Sequence, residues 1–305
     1  MELLELLEQE KVEEFNAARG MNTRIDLFAA DLSEKNLTGV NLTGANLQKA
    51  DLSGSNLTDA ELTQTDLSGA DLTGAVLKNV SGMRSRWRDA YLGEADLSDA
   101  DLAGADMTDA DVSDGIMARA MLTGARLKRA VLVKTDLSAA DLADAYMAEA
   151  DLKEANLTGA QMREANLNKT DLTQARLGSS DLTKAKMQGA HFAGTDLQGA
   201  CLNSADLTES TFESTQVSGA DFTRADFTDA EIDNVDLTKA TLTDAQFDSA
   251  VAGTSGSEST DAGVSLVHVE DPNLAVNGTR FAASWENVDS QGQPSLRLAQ
   301  GALGK

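Results

Sequence analysis

Ala70-Asp71-Leu72-Thr73-Gly74 and Ala155-Asn156-Leu157-Thr158-Gly159 are two copies of a five-residue pattern that fills most of the chain. From Leu27 to Phe247 every fifth residue is apolar at 44 of 45 positions, Gly82 being the exception, and no insertion or deletion breaks the phase. Two residues before these sites the chain is small at 40 of the 45: 30 Ala, 4 Ser, 5 Thr and 1 Gly. Asp or Asn directly precedes the apolar site at 25 of the 45, and Ser or Thr commonly follows it. On an α-helix this period rotates the apolar sites by about 140° per repeat, so no stripe forms. On a strand the small residue and the Leu share a face, but the next small residue, three further on, falls on the wrong side. Both sites stay inside only if the chain turns a corner in every unit, always the same way. The result is an all-β solenoid with Leu and Ala inside and turn-forming Gly, Asp, Asn, Ser and Thr outside.

These units, with Ala30-Asp31-Leu32-Ser33-Glu34 beside them, resemble the pentapeptide-repeat family over about residues 27–250. The resemblance implies a right-handed quadrilateral β-helix with four units per coil. Forty-five units then make about 11 coils, a rod of ~50 Å at ~4.8 Å per coil. Stability in such a rod is approximately a sum of nearest-neighbour terms.

The composition agrees with a non-enzymatic protein. The 305 residues include 4% aromatics, 41% apolar residues, and Pro272 and Pro294 as the two prolines, which does not describe two compact cores. Two histidines (His191 and His268) and one cysteine (Cys201) leave little for a metal site or a nucleophilic triad, so no cofactor, metal or catalytic residue is expected. His191 and Cys201 replace outward residues and read as surface variation; Tyr91 and Tyr146 are outward sites able to anchor a partner. No apolar run approaches the ~18 residues of a membrane span, no leader looks like a signal peptide, and the lone cysteine suits a reducing compartment. A cytoplasmic location is expected. The formal charge of −25 opposes direct binding to nucleic acid or to anionic membrane and favours a partner with a basic surface.

The ends of a solenoid expose strand edges that need covering. Residues 1–24 are expected to form an N-terminal cap helix over 2–19, with Leu4, Leu7, Val12 and Phe15 on its apolar side and Gly20 as its stop. The repeat is expected over 25–250, a flexible linker over 251–263, and a small β-type appendage over 264–305. Within that tail Leu274-Ala275-Val276, Asn277-Gly278 and Thr279-Arg280-Phe281 read as a hairpin, with a further strand over Val264 to Val269. The tail has three open roles: covering the last coil, self-association through an end of the rod, or binding a partner.

Two surface features carry the functional reading. Pentapeptides 20 residues apart stack on one face, and the face that includes residues 30–34 and 50–54 carries 13 acids against Lys134 and Lys153. Asp31, Asp51, Asp71, Asp111, Asp151 and Asp171 are its candidate partner-binding residues. The second feature is Ser81-Gly82-Met83-Arg84-Ser85-Arg86-Trp87-Arg88, where Gly takes an inward Leu site and Trp the next. Either Trp87 fills the space Gly82 leaves, or Arg84, Arg86, Trp87 and Arg88, with Arg126 and Lys128, form a basic and aromatic contact patch. The leading function is a protein-binding module or scaffold. The alternative comes from the resemblance: within the family, one group protects type II topoisomerases (gyrase and topoisomerase IV) from poisons by imitating DNA. This chain shares that group's acidity and rod shape. It departs in having no loop between coils, no recognisable C-terminal dimerisation helix, and Leu rather than Phe at most inward sites.

Overall fold

A computed structural model describes residues 3–20, 25–252, 275–276 and 279–280. Its body is a β-helix in which outward sites bridge, in parallel, the site 20 residues later, except between Gln216 and Asp236, where a 3-10 turn over Leu237–Lys239 interrupts the pattern. The series runs from Asp26↔Asn46 through Asp111↔Val131 to Asp226↔Gln246. Three backbone bonds join each regular unit to the rung 20 residues on: Asn46 donates to the Ile25 carbonyl (2.8 Å), Leu27 to that of Asn46 (2.8 Å) and Ala29 to that of Gln48 (2.9 Å). The small residue closes each corner by donating back to the inward Leu, as Ala45 does to Leu42 (2.9 Å).

Side chains set the corners. At Asp31, Oδ1 accepts both the Ser33 amide (3.2 Å) and the Ser33 hydroxyl (2.7 Å); Asn36 and Thr38 repeat the arrangement. The Asp-Leu-Ser/Thr sequence is therefore a turn that satisfies itself. The last residue of each regular unit takes the left-handed conformation, with φ of +57° at Glu34 and +62° at Gly54 one rung on. Glycine meets that requirement at no steric cost, and the other residues pay a small one.

Every apolar inward site from Leu27 to Phe247 is buried, as are the small sites between them apart from the partly buried Ala240. Where Ser or Thr takes a small site its buried hydroxyl usually finds a carbonyl: Ser55 donates to Leu52 (2.6 Å) and Thr65 to Leu42 (2.7 Å). Toward the C-terminal end phenylalanines replace leucines and stack down the axis, Phe192 on Phe212 at 4.4 Å and Phe227 on Phe247 at 4.7 Å. There the rungs lengthen into strands β1 (Thr211–Glu213), β2 (Glu231–Asp233) and β3 (Val251–Ala252), ordered β1-β2-β3. The ladder thus runs two residues past Ala250, into the stretch expected to be linker. Strands β4 (Ala275–Val276) and β5 (Thr279–Arg280) pair antiparallel. The rest of the expected linker and tail, with the Val264–Val269 strand, lies outside the described residues.

At the other end the single helix expected over 2–19 is two, α1 (Leu3–Glu8) and α2 (Val12–Arg19). Glu10 adopts φ +57°, its amide donates to Leu7 (2.9 Å), and Lys11 donates to Leu6 (2.8 Å). This is a Schellman stop built on Glu instead of the usual Gly. Leu6, Leu7 and Phe15 join the core, whereas Leu4 and Val12 are only partly buried. No helix among the described residues is long and apolar enough to cross a membrane.

The helical segment is tied to the first coil by side chains that stand in for a missing rung. The Asn41 amide donates to Asn16 Oδ1 (2.8 Å), and Asn16 Nδ2 donates to the Gly39 carbonyl (3.0 Å). Arg19 donates to Asn41 Oδ1 and to the Thr43 carbonyl (2.8 Å). Asn16→Ala removes two of these bonds and is expected to cost about 1–3 kcal/mol. The Asn41 amide should then exchange with solvent at least tenfold faster. Unchanged exchange at Asn41 would show that the helices contribute nothing to that edge.

Candidate functional site

The six candidate acids fall on one ladder, but not as an unbroken column. From the N-terminal end it reads Asp31, Asp51, Asp71, Tyr91, Asp111, Val131, Asp151, Asp171, His191, Thr211. Each Asp commits Oδ1 to its own turn, as with Ser53 (3.0 Å), Thr73 (2.9 Å) and Ser113 (3.0 Å). The uninterrupted run of three is Asp31-Asp51-Asp71. Farther along, Lys153 bridges Asp151 (3.1 Å) and Asp171 (2.9 Å) and offsets their charge. His191 bonds Thr211 through Nδ1 (2.9 Å), and Cys201 lies 3.4 Å from the Thr183 hydroxyl.

The basic and aromatic patch needs correction. Trp87 has no exposed surface: its indole donates to the buried Ser85 hydroxyl, which donates to the Gly82 carbonyl. It is a core residue leaning toward the corner where Gly82 lacks a side chain, and it cannot touch a partner. Arg86 pairs with Asp66 (3.4 Å), Arg88 with Asp106 (3.2 Å) and Lys128 with Glu149 (3.3 Å). Arg84 and Arg126 are exposed, without an ion pair to a described residue. The structure thus brings the basic residues onto neighbouring rungs but spends three of them on cross-rung pairs.

Those pairs follow a spacing that the sequence contains and that only the ladder makes visible. Arg119–Asp99 and Arg129–Asp109 are two-pronged at 2.6–2.7 Å, each 20 residues apart. Lys78–Asp96 (3.0 Å) and Arg163–Asp181 (2.5 Å) are 18 apart. A second pattern concerns whole turns. The outward sites Val76, Ser81, Arg86 and Tyr91 carry no acid; Asp96, Asp101, Asp106 and Asp111 are all acid; Ile116, Met121, Arg126 and Val131 again carry none. Register places each Asp of the middle turn between two of these non-acidic residues. Like charges one rung apart repel, so alternating turns relieve repulsion that an all-Asp ladder would suffer.

The charges are tuned by these contacts. Partial burial raises the carboxyls of Asp66, Asp96, Asp106, Asp171 and Asp181, but the hydrogen bonds of their own turns and the cation across the rung outweigh it. All five are held below the ordinary range. Hydrogen bonds from Arg119 and Arg129 lower Asp99 and Asp109, and those from Ser33 lower Asp31. A carboxyl lowered by folding stabilises the fold above its unfolded pKa of ~3.9, and that contribution disappears as pH falls through the folded value. The denaturation midpoint in urea should therefore stay level from pH 8 to 5 and fall below about pH 4. A midpoint that rises between pH 5 and 3 would contradict this assignment of the turns and pairs.

No group of three or more His, Cys, Asp or Glu among the described residues is placed to hold a metal ion. A family model described as pentapeptide repeats matches in eight copies that together span residues 23–81 and 88–244. The interval it leaves out, 82–87, runs from Gly82 to Trp87. No curated protein matches the chain. Among solved structures, HetL, a pentapeptide repeat protein involved in heterocyst differentiation regulation in the cyanobacterium Nostoc sp. strain PCC 7120, is 26% identical. The match covers 79% of this chain and 95% of HetL, with a TM-score of 0.48. QnrB1, a plasmid-mediated fluoroquinolone resistance protein, is 18% identical over 69% of this chain and 91% of its own, at a TM-score of 0.35. Rfr23 from the cyanobacterium Cyanothece 51142 is 22% identical over 44% of this chain and 91% of its own, at 0.32.

Proposed function

This chain belongs to the pentapeptide-repeat family, whose members form right-handed β-helices and are typically non-enzymatic structural or binding proteins, and on that premise we propose that it is a protein-binding rod. In this reading about 11 coils form a quadrilateral rod, α1 and α2 cap its first edge, and the charged faces and residues 251–305 dock a partner. The partner is a protein with a basic surface in the cytoplasm, and an end of the rod serves self-association. One observation carries the reading: Asp31, Asp51 and Asp71 stand one rung apart, each with one oxygen fixed by its own turn and none in an ion pair with a described residue. Such an array holds charge in place without the ordering cost of flexible acids, and it attracts cations in a salt-dependent way.

The same observation supports the second reading, a DNA-duplex mimic that binds a type II topoisomerase and modulates it or protects it from poisons. Successive acids ~4.8 Å apart approach the ~3.4 Å phosphate spacing of one DNA strand. Tyr91, Val131, His191 and Thr211 interrupt the imitation, and Lys153 offsets part of it. A gyrase supercoiling assay with and without a poison separates the two readings. Activity or protection at micromolar protein, abolished by changing Asp31, Asp51, Asp71, Asp111, Asp151 and Asp171 to Lys with circular dichroism unchanged, is the mimic's result. The binding module instead predicts no effect on gyrase, and recovery of a specific partner that falls at least tenfold in the six-Lys variant. Partner recovery unaffected by that variant would remove the acidic ladder from the account.

A further inference from the structure

Five of the six exposed large apolar side chains among the described residues, Met83, Tyr91, Ile116, Met121 and Tyr146, lie in the middle of the rod. Two of them, Ile116 (38% exposed) and Met121 (47%), stand on the same coil, on two adjacent sides that meet at the corner formed by Ala118 and Arg119. At that corner Arg119 is neutralised by Asp99 on the rung below. Met121 stands on the ladder Asp101↔Met121↔Asp141. Asp101 and Asp141 each accept one amide of their own turn, from Ala103 (3.1 Å) and Ala143 (3.1 Å), and neither forms an ion pair with a described residue. On the next side the equivalent Asp106 is compensated by Arg88. Ile116 and Met121 also forgo the bond that Asp supplies at this site, worth about 1 kcal/mol, so their apolar surface gives their own turns nothing in return.

We propose that this corner is a docking strip for a short basic segment of a partner protein in which cationic and apolar side chains alternate. Its apolar side chains cover Ile116 and Met121. Its cations meet Asp101 and Asp141, two rungs or ~10 Å apart. Charge selects the occupant: a second copy of a chain carrying −25, a nucleic acid or an anionic membrane would be repelled. Exposed Met flanked by uncompensated carboxylates suits an Arg or Lys, whose stem packs on the thioether while its head reaches the acid. The inference rests on the reading of the chain as a protein-binding module, but it uses a different side of the rod from the Asp31-Asp51-Asp71 ladder.

The probe is a fluorescent eight-residue peptide of alternating Arg and Leu, compared with alternating Arg and Gly, titrated with the full chain at 0.15 M salt. The Arg–Leu peptide should bind at least tenfold tighter. Ile116→Glu with Met121→Glu should abolish that advantage even though it adds negative charge, which by attraction alone would strengthen binding. Asp51→Lys with Asp71→Lys, on the other ladder, should change it less than twofold. Equal affinity for the two peptides, or an equal loss in the Asp51/Asp71 variant, would overturn the strip. Failure of the six-Lys variant in the partner assay would leave this result untouched, so the two proposals fail separately.

Discussion

Leu137→Asp is expected to lower stability by more than about 4 kcal/mol. Leu137 is an inward residue with 1% exposure, and its amide is bonded to the Asn156 carbonyl one rung on (2.7 Å). Truncating a buried Leu already costs about 2–5 kcal/mol, and a carboxylate placed there adds the cost of a charge without a partner. The surroundings offer no relief, because inward neighbours on the rungs before and after are Leu and Met: Met117 and Leu157. In a solenoid each rung is supported only by its neighbours, so the damage is local and deep. Urea unfolding followed by circular dichroism should show a large shift of midpoint. The transition should also broaden, as the two halves of the rod lose their coupling. A change below about 1 kcal/mol would place Leu137 outside the core.

The second large effect concerns the site where the repeat departs from itself. A Leu at position 82 would match most of the other repeats, yet Gly82→Leu is expected to destabilise by about 1–3 kcal/mol. A Cβ built on Gly82 lies 2.8 Å from Leu102 Cδ2 and 3.4 Å from the Asp101 carbonyl oxygen, and Leu102 is fully buried. Trp87→Ala should cost about 3–5 kcal/mol, because it empties the largest side chain in the core. If the two sites share one volume, Gly82→Leu and Trp87→Leu must be non-additive. The double variant should then be more stable than the sum of the single losses by more than about 1 kcal/mol. Additive losses would mean that Trp87 and Gly82 are independent departures.

Much of this architecture was legible in five-residue units. The Leu and Ala sites identify themselves by composition, and the phase from Leu27 to Phe247 forces residues 20 apart together once four corners close a coil. The break between α1 and α2 was not legible, since the residue at the left-handed stop is Glu10 and glutamate carries no such signal. The role of the acids was half legible. Asp31, Asp51 and Asp71 align as the spacing requires, but Asp in this position first serves its own turn, and counting acids per face hides that. Trp87 shows the converse difficulty: the sequence allowed it to be filler or contact, and only its complete burial decides. Cross-rung pairs such as Arg119–Asp99 were invisible because they answer to a spacing of 20 residues that no local motif announces. The alternation of acidic and non-acidic bridging sites from one coil to the next was written in the outward sites from Val76 to Val131, where a tally by face averages it away.

Everything rests on residue i lying directly over residue i+20. Cross-linking between engineered cysteines measures that register, in a chain whose Cys201 has been changed to Ser. Outward residues one rung apart are ~4.8 Å apart, within the ~4.4–6.8 Å that a disulfide spans between Cα atoms. Thr123→Cys with Ala143→Cys should oxidise to a disulfide readily and leave the circular dichroism unchanged, whereas Thr123→Cys with Ser138→Cys, on different sides of the coil, should not. Efficient bridging of the 15-residue pair, or none of the 20-residue pair, would contradict the ladder.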